Sequence, residues 1–251
     1  MIELCHVSAG YGGRKILYDI NAEFEVGKLT AVIGPNGCGK STLLKTIAGI
    51  RKPMSGEIRF RERPRTAFSD REWAQQVAYL PQSRNIPEIT AERMVLHGRF
   101  PYLSYPRRYR REDREKVRDA LQKAGAEHLA GEMVGNLSGG QRQKVYIAMA
   151  LAQDTGAVLM DEPTTYLDIN NQMEIMELMK ALADSGKCVI AVLHDLDAVL
   201  QYADHVVLMH AGSIVADGDP MEVCQSPSME TAFGVKAEIR EKLTFRRIGR
   251  E

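Results

Sequence analysis

Gly34-Pro35-Asn36-Gly37-Cys38-Gly39-Lys40-Ser41-Thr42 is the stretch that decides how this chain folds. An apolar run at 29–33 precedes it, and Leu43, Leu44, Ile47 and Ala48 follow at helical spacing, with Gly49 as a stop. Gly-x-x-x-x-Gly-Lys-Ser between a strand and a helix is a phosphate-binding loop. The glycines let successive N–H groups turn inward around anionic oxygens, and the helix start adds its partial positive end. Lys40 is expected at the β- and γ-phosphates, Ser41 on Mg²⁺ and Thr42 near the α-phosphate, with Gly34, Pro35, Asn36, Gly37, Cys38 and Gly39 forming the cradle. A thiol inside such a loop is expected to block nucleotide binding when alkylated, and bound nucleotide should protect it.

On the N-terminal side, 3–7 and 16–24 read as strands, separated by Gly10-Tyr11-Gly12-Gly13. Beyond the loop, 57–60 and 77–80 read as further strands. From 82 to 153 the pattern turns helical, with 91–97, 111–124 and 141–152 the strongest segments. From 157 onward apolar strands alternate with helices: 158–160, 172–183, 187–193, 198–202 and 205–209. A hairpin at Ala211-Gly212-Ser213 then leads into 214–216. Strand–helix alternation implies a largely parallel, buried sheet. The expected fold is therefore α/β, a phosphate-loop core with an N-terminal antiparallel part. Residues 1–81 and 156–251 make the core, and a helical subdomain, 82–155, is inserted between them. The tail from Ser226 has mixed character and receives no assignment. There is no internal repeat, so one cassette is expected.

At 251 residues the chain can bury a sizeable core. Lys plus Arg and Asp plus Glu balance at 33 each, which argues against a nucleic-acid partner. The apolar runs are far shorter than the roughly 20 residues of a spanning helix, and no basic start leads into an apolar stretch, so neither a membrane span nor a secretory signal is expected. Cys5, Cys38, Cys188 and Cys224 form no Cys-x-x-Cys pair, which disfavours a metal or disulfide framework and fits a reducing cytosol. No histidine spacing suggests a metal site.

Two acids, Asp161 and Glu162, close the strand near 158–160. Acids at the C-terminal end of a parallel strand face the crevice where ligands bind. Asp161 is expected near Mg²⁺, and Glu162 is expected to polarise the attacking water as general base. Because Glu162 is an acid, hydrolysis is expected, not binding alone. A second anion-binding feature is Leu137-Ser138-Gly139-Gly140-Gln141. Ser138 is a natural helix N-cap and two glycines expose backbone amides, with no lysine. One chain thus carries two half-sites for phosphate about a hundred residues apart.

This set of motifs, in this order from Tyr11 to about Gly218, resembles the nucleotide-binding subunits of ABC transporters. The resemblance implies ATP and Mg²⁺ as ligands. Leu137–Gln141 would be the signature segment, closing on the ATP held by another copy, so a head-to-tail homodimer is implied. Gln82, after Tyr79-Leu80-Pro81, resembles the glutamine that reaches Mg²⁺ and the attacking water and senses the membrane partner. His194, after an apolar strand, resembles the histidine that contacts the γ-phosphate. Asp168 matches the aspartate that links the two sites across the dimer. Tyr11 matches the aromatic that stacks on adenine, with Tyr18 a weaker competitor.

The family places such subunits peripherally on the cytoplasmic face of the membrane. They are bound there to transmembrane permease subunits and, through these, to a substrate-binding protein. His97-Gly98-Arg99-Phe100-Pro101-Tyr102, Arg107–Asp113 and Pro163–Asp168 resemble one importer subclass, which takes up iron(III)–siderophores, haem or vitamin B12. Arg107–Arg111 on its own reads as a solvated face, or as a contact with lipid headgroups or a permease loop. The alternatives are a soluble, non-transport ABC ATPase, a non-catalytic ATP-binding switch, or a subunit of an ABC system with other cargo, an exporter included.

Overall fold

The computed structural model describes residues 1–82 and 86–235. In chain order its strands and helices are β1 (Ile2–Tyr11), β2 (Arg14–Phe24), β3 (Leu29–Ile33), α1 (Lys40–Ile47), β4 (Ser55–Phe60), β5 (Arg63–Pro64), α2 (Asp70–Ala74) and β6 (Val77–Leu80). Three helices follow, α3 (Ala91–Leu96), α4 (Arg111–Lys123) and α5 (Gly139–Ala152). The chain then runs through β7 (Ala157–Asp161), α6 (Ile169–Asp184), β8 (Cys188–Val192), α7 (Leu196–Tyr202), β9 (His205–His210), β10 (Ser213–Gly218), α8 (Pro220–Gln225) and α9 (Pro227–Phe233).

Two sheets carry the fold. One has the order β10-β9-β3-β8-β7-β6 and is parallel except for its edge strand β10. The other, β2-β1-β4-β5, is antiparallel. Every residue of β3, β7 and β8 is buried, as a sheet covered on both faces requires. Alternation sorts their side chains. Ala31 and Ile33 join a core with the helices, while Val32 joins a second core shared with α1 and the antiparallel sheet. The phosphate-loop strand β3 is thus central, and the parallel strands deliver 34–42, 82, 161–162 and 194 to one end of the sheet.

Several elements differ from expectation. The helix expected at 172–183 begins at Ile169, because the Asp168 carboxylate accepts from the Asn171 N–H and caps it. Helix α2 had no counterpart in the expected elements, although Ser69 and Glu72 form a reciprocal capping box at its start. Part of the unassigned tail is helical (α9); 236–251 lies outside the described residues.

The arginine-rich motif divides in two. Arg99 is only 5% exposed and donates to Asp113 Oδ1 at 3.0 Å and to the Ala152 carbonyl at 2.9 Å, with its guanidinium 3.9 Å from the Tyr102 ring centroid. It ties the 97–102 turn to α4 and to the end of α5. Breaking such a buried pair by removing one partner costs about 3–5 kcal/mol. Arg107, Arg108, Arg110 and Arg111 are exposed, and Arg111, 94% exposed, pairs with Glu115 along α4.

Candidate active site

The phosphate loop leaves β3 through Gly34 at φ +149°, where a Cβ would lie 2.2 Å from the Met209 carbonyl oxygen, so no side chain fits. Lys40 opens α1 behind left-handed Gly39, and its Nζ donates to the Gly34 and Pro35 carbonyls at 2.7 and 2.9 Å. The loop therefore wraps its own lysine. The Cys38 side chain packs into the inter-sheet core and is 6% exposed. Burial pushes its thiol pKa up, against the opposing pull of Lys40. A buried thiol with a raised pKa is a slow target for alkylation.

Asp161 ends β7, 2% exposed. Its Oδ1 accepts from Ser41 Oγ at 3.0 Å and its Oδ2 from the Tyr79 hydroxyl at 3.1 Å. Burial raises its pKa, and these two hydrogen bonds oppose the rise. Glu162 turns out of the strand at φ +52°. Its Oε2 accepts from Gln82 Nε2 at 2.6 Å and from Thr165 Oγ1 at 3.2 Å, and its Oε1 lies 2.8 Å from His194 Nε2. Burial alone would raise the Glu162 pKa. The hydrogen bond and charge of His194, with Thr165 and Lys40, outweigh it and hold the carboxyl below its ordinary value.

Tyr11, Lys40, Ser41, Gln82, Glu162 and His194 line one cavity of 840 Å³, with Asn36, Gly37, Gly39 and Thr42 of the loop; Asp161 lies just behind Ser41, outside the lining. That volume is within the range of small-molecule pockets, roughly 300–1,000 Å³. Arg51 lies 4.0 Å from the Tyr11 ring centroid and lines a neighbouring cavity. Tyr18 is not in the lining; it packs by Gly212 and donates to the Lys15 carbonyl. Sequence reasoning missed Thr165 and Tyr79. A hydroxyl three residues past Glu162 is a local signal that could have pointed to Thr165, whereas the Tyr79 contact crosses between strands and no spacing announces it.

Leu137–Gln141 is not part of this cavity. Ser138 and Gln141 form a reciprocal capping box at the start of α5, Leu137 is buried, and its carbonyl accepts from Arg142. With Tyr166 and Leu167, Gly139 lines an adjoining cleft, which shares Gln82, Thr165 and Tyr166 with the first cavity. At Gly140 a Cβ would fall 2.5 Å from the Asn171 carboxamide, whose Nδ2 donates to Asp168 at 2.8 Å. Asp168, likewise outside the cavity, is engaged within its own chain as the α6 cap. Tyr166, in the left-handed region at φ +63°, is 97% exposed beside it.

A phosphate loop facing two strand-end acids, with a second glycine-rich helix start held apart, matches the family model described as ABC transporter over residues 17–165. This chain belongs to the ABC transporter family. The ferric enterobactin transport ATP-binding protein FepC of Escherichia coli (strain K12) is 40% identical over 235 residues, covering 93% of this chain and 87% of its own. The iron(3+)-hydroxamate import ATP-binding protein FhuC of Bacillus subtilis (strain 168) is 39% identical over 92% of this chain and 86% of its own. A dimeric bacterial ABC transporter cassette superposes with a TM-score of 0.76 at 29% identity, covering 88% of this chain and 99% of that one. The chain is an ABC-type ATP-binding subunit and an ATPase, with the α/β fold of that family.

Proposed function

We propose that this chain is the ATP-hydrolysing subunit of an importer for an iron(III)–siderophore chelate, with haem or cobalamin as the other cargoes of that subclass. The hydrolysis part of the reading is carried by the cavity in which Lys40 and Ser41 face Glu162, while Ser138 sits outside it, and the cargo by the likeness to siderophore and hydroxamate transport ATP-binding proteins. Gly34–Thr42 would hold the phosphates and Tyr11 would stack on the base. Mg²⁺, when bound, supplies positive charge to the β- and γ-phosphate oxygens. Ser41 Oγ and Asp161 Oδ1, hard oxygens 3.0 Å apart, fit a cation that needs only one or two protein ligands, with Gln82 nearby. Glu162 would accept the proton of the attacking water as the terminal phosphoryl group leaves ADP, and His194 would contact that group.

The separated Leu137–Gln141 tip supports a second copy: two chains head to tail would each lend it to the other's ATP, with Asp168 near the seam. Among the described residues no helix is long and apolar enough to cross a membrane. Transport would therefore run through permease subunits, fed by a substrate-binding protein, with this chain peripheral at the cytoplasmic face. Residues 82–155 would act as a helical subdomain that transmits motion from Gln82. No nucleic-acid partner is proposed.

The test is uptake in cells lacking this chain. Radiolabelled iron supplied as a siderophore chelate should cease to accumulate, and Glu162→Gln should not restore it. Retained chelate uptake with lost haem or cobalamin uptake would reassign the cargo, and retained uptake of all three would overturn the importer reading.

A further inference from the structure

The register of β6 against β7 pairs Tyr79 with Leu159, and Leu159 shares a sheet face with Asp161, two residues on. Two residues along a strand is on the order of 7 Å, a diagonal that a tyrosine side chain spans. The phenol reaches the far oxygen of Asp161, Oδ2, at 3.1 Å, while Oδ1 receives Ser41. A carboxylate held at both oxygens by different elements cannot rotate about its own axis without breaking a bond. Three residues further, Gln82 donates to Glu162, so the segment leaving β6 touches both strand-end acids.

We propose that Tyr79 is a positioning residue for Mg²⁺: its hydroxyl fixes Asp161 so that Oδ1 stays turned toward Ser41 and the phosphate loop. This deepens the proposed function and rests on its assignment of Ser41 and Asp161 to the metal. It predicts that the hydroxyl matters to nucleotide binding only when Mg²⁺ is present.

The test uses the full chain carrying Glu162→Gln to suppress turnover, with and without Tyr79→Phe, which removes one oxygen atom. ATP affinity is measured by calorimetry in MgCl₂ and in EDTA, and Mn²⁺ uptake by the ATP-loaded protein by electron paramagnetic resonance. Losing a hydrogen bond to a buried carboxylate should raise the midpoint of the metal titration about tenfold and weaken ATP binding in MgCl₂ by a similar factor, with less than about a twofold change in EDTA. Tyr79→Met, equally without a hydroxyl, should reproduce the shift. An unchanged metal midpoint in Tyr79→Phe, an equal loss in MgCl₂ and EDTA, or a defect confined to the Met variant would each overturn the proposal. If ATP binding to the Tyr79 chain itself ignores Mg²⁺, the assignment of Ser41 and Asp161 fails first and takes the proposal with it.

Discussion

At Gly39 a helix begins behind a left-handed glycine, and its first residue, Lys40, folds back onto its own loop in the cavity that Glu162 also lines. After Ser138 another helix begins with two glycines, capped by its own serine and glutamine and facing an adjoining cleft. Both expose backbone N–H groups at a helix start, where anions are favoured. The first faces the strand-end acids, whereas the cleft beside the second shares Gln82, Thr165 and Tyr166 with that cavity but not Glu162. The difference teaches that helix-start geometry gives affinity for phosphate, while chemistry comes from the neighbouring strand ends.

The largest test of that contrast is Glu162→Gln. It should lower ATP turnover by a factor on the order of 10²–10⁴, the contribution of a positioned general base, and leave ATP affinity intact. Next is Ser138→Arg. It should cost turnover by a factor on the order of 10²–10³, as loss of charge-stabilising donors does, without changing ATP affinity of the isolated subunit. An affinity loss in the isolated subunit would merge the two regions into one site.

A third test acts on the far end of the helix that carries the second region. Arg99→Leu should destabilise the fold by about 3–5 kcal/mol in urea melts. Arg111→Ala, in an exposed pair, should stay within about 0.5 kcal/mol. Arg51→Ala should raise the KM for ATP about two- to fivefold through the lost stack on Tyr11, with kcat unchanged.

The smallest effect is pH-dependent. The Glu162 carboxyl is held low in the folded state, so its ionised form contributes stability above its unfolded value of about 4.3, and the contribution is lost as pH falls through the lower folded value. Asp161, held high, contributes in the opposite sense. The gap in melting temperature between the parent chain and Glu162→Gln should therefore close as pH falls below about 4.

Much of this was legible in the sequence because the signals are local. The phosphate loop sits between a strand and a helix, and Asp161 and Glu162 end an apolar run, so composition and order alone place them at the C-terminal ends of parallel strands. Ser138 reads as a helix N-cap from its residue type and the glycines after it. What escaped depended on pairing between distant segments. Tyr79 meets Asp161 only through strand register, Arg99 meets Asp113 across a tight turn and a helix, and Cys38 faces the core because of how its loop winds. Helix α2 is a different kind of miss: Ser69-x-x-Glu72 was present, but five residues give too little periodicity to stand out.

The close approach of Asn171 to Gly140 ties two stretches of the chain into a single inherited unit. A side chain at 140 needs room that only a smaller residue at 171 would leave, and a change at 171 in turn loosens the grip on Asp168. Substitutions at these positions should thus arrive together in descendants of this chain, so that the surface offered to a second copy is revised as a pair or left alone.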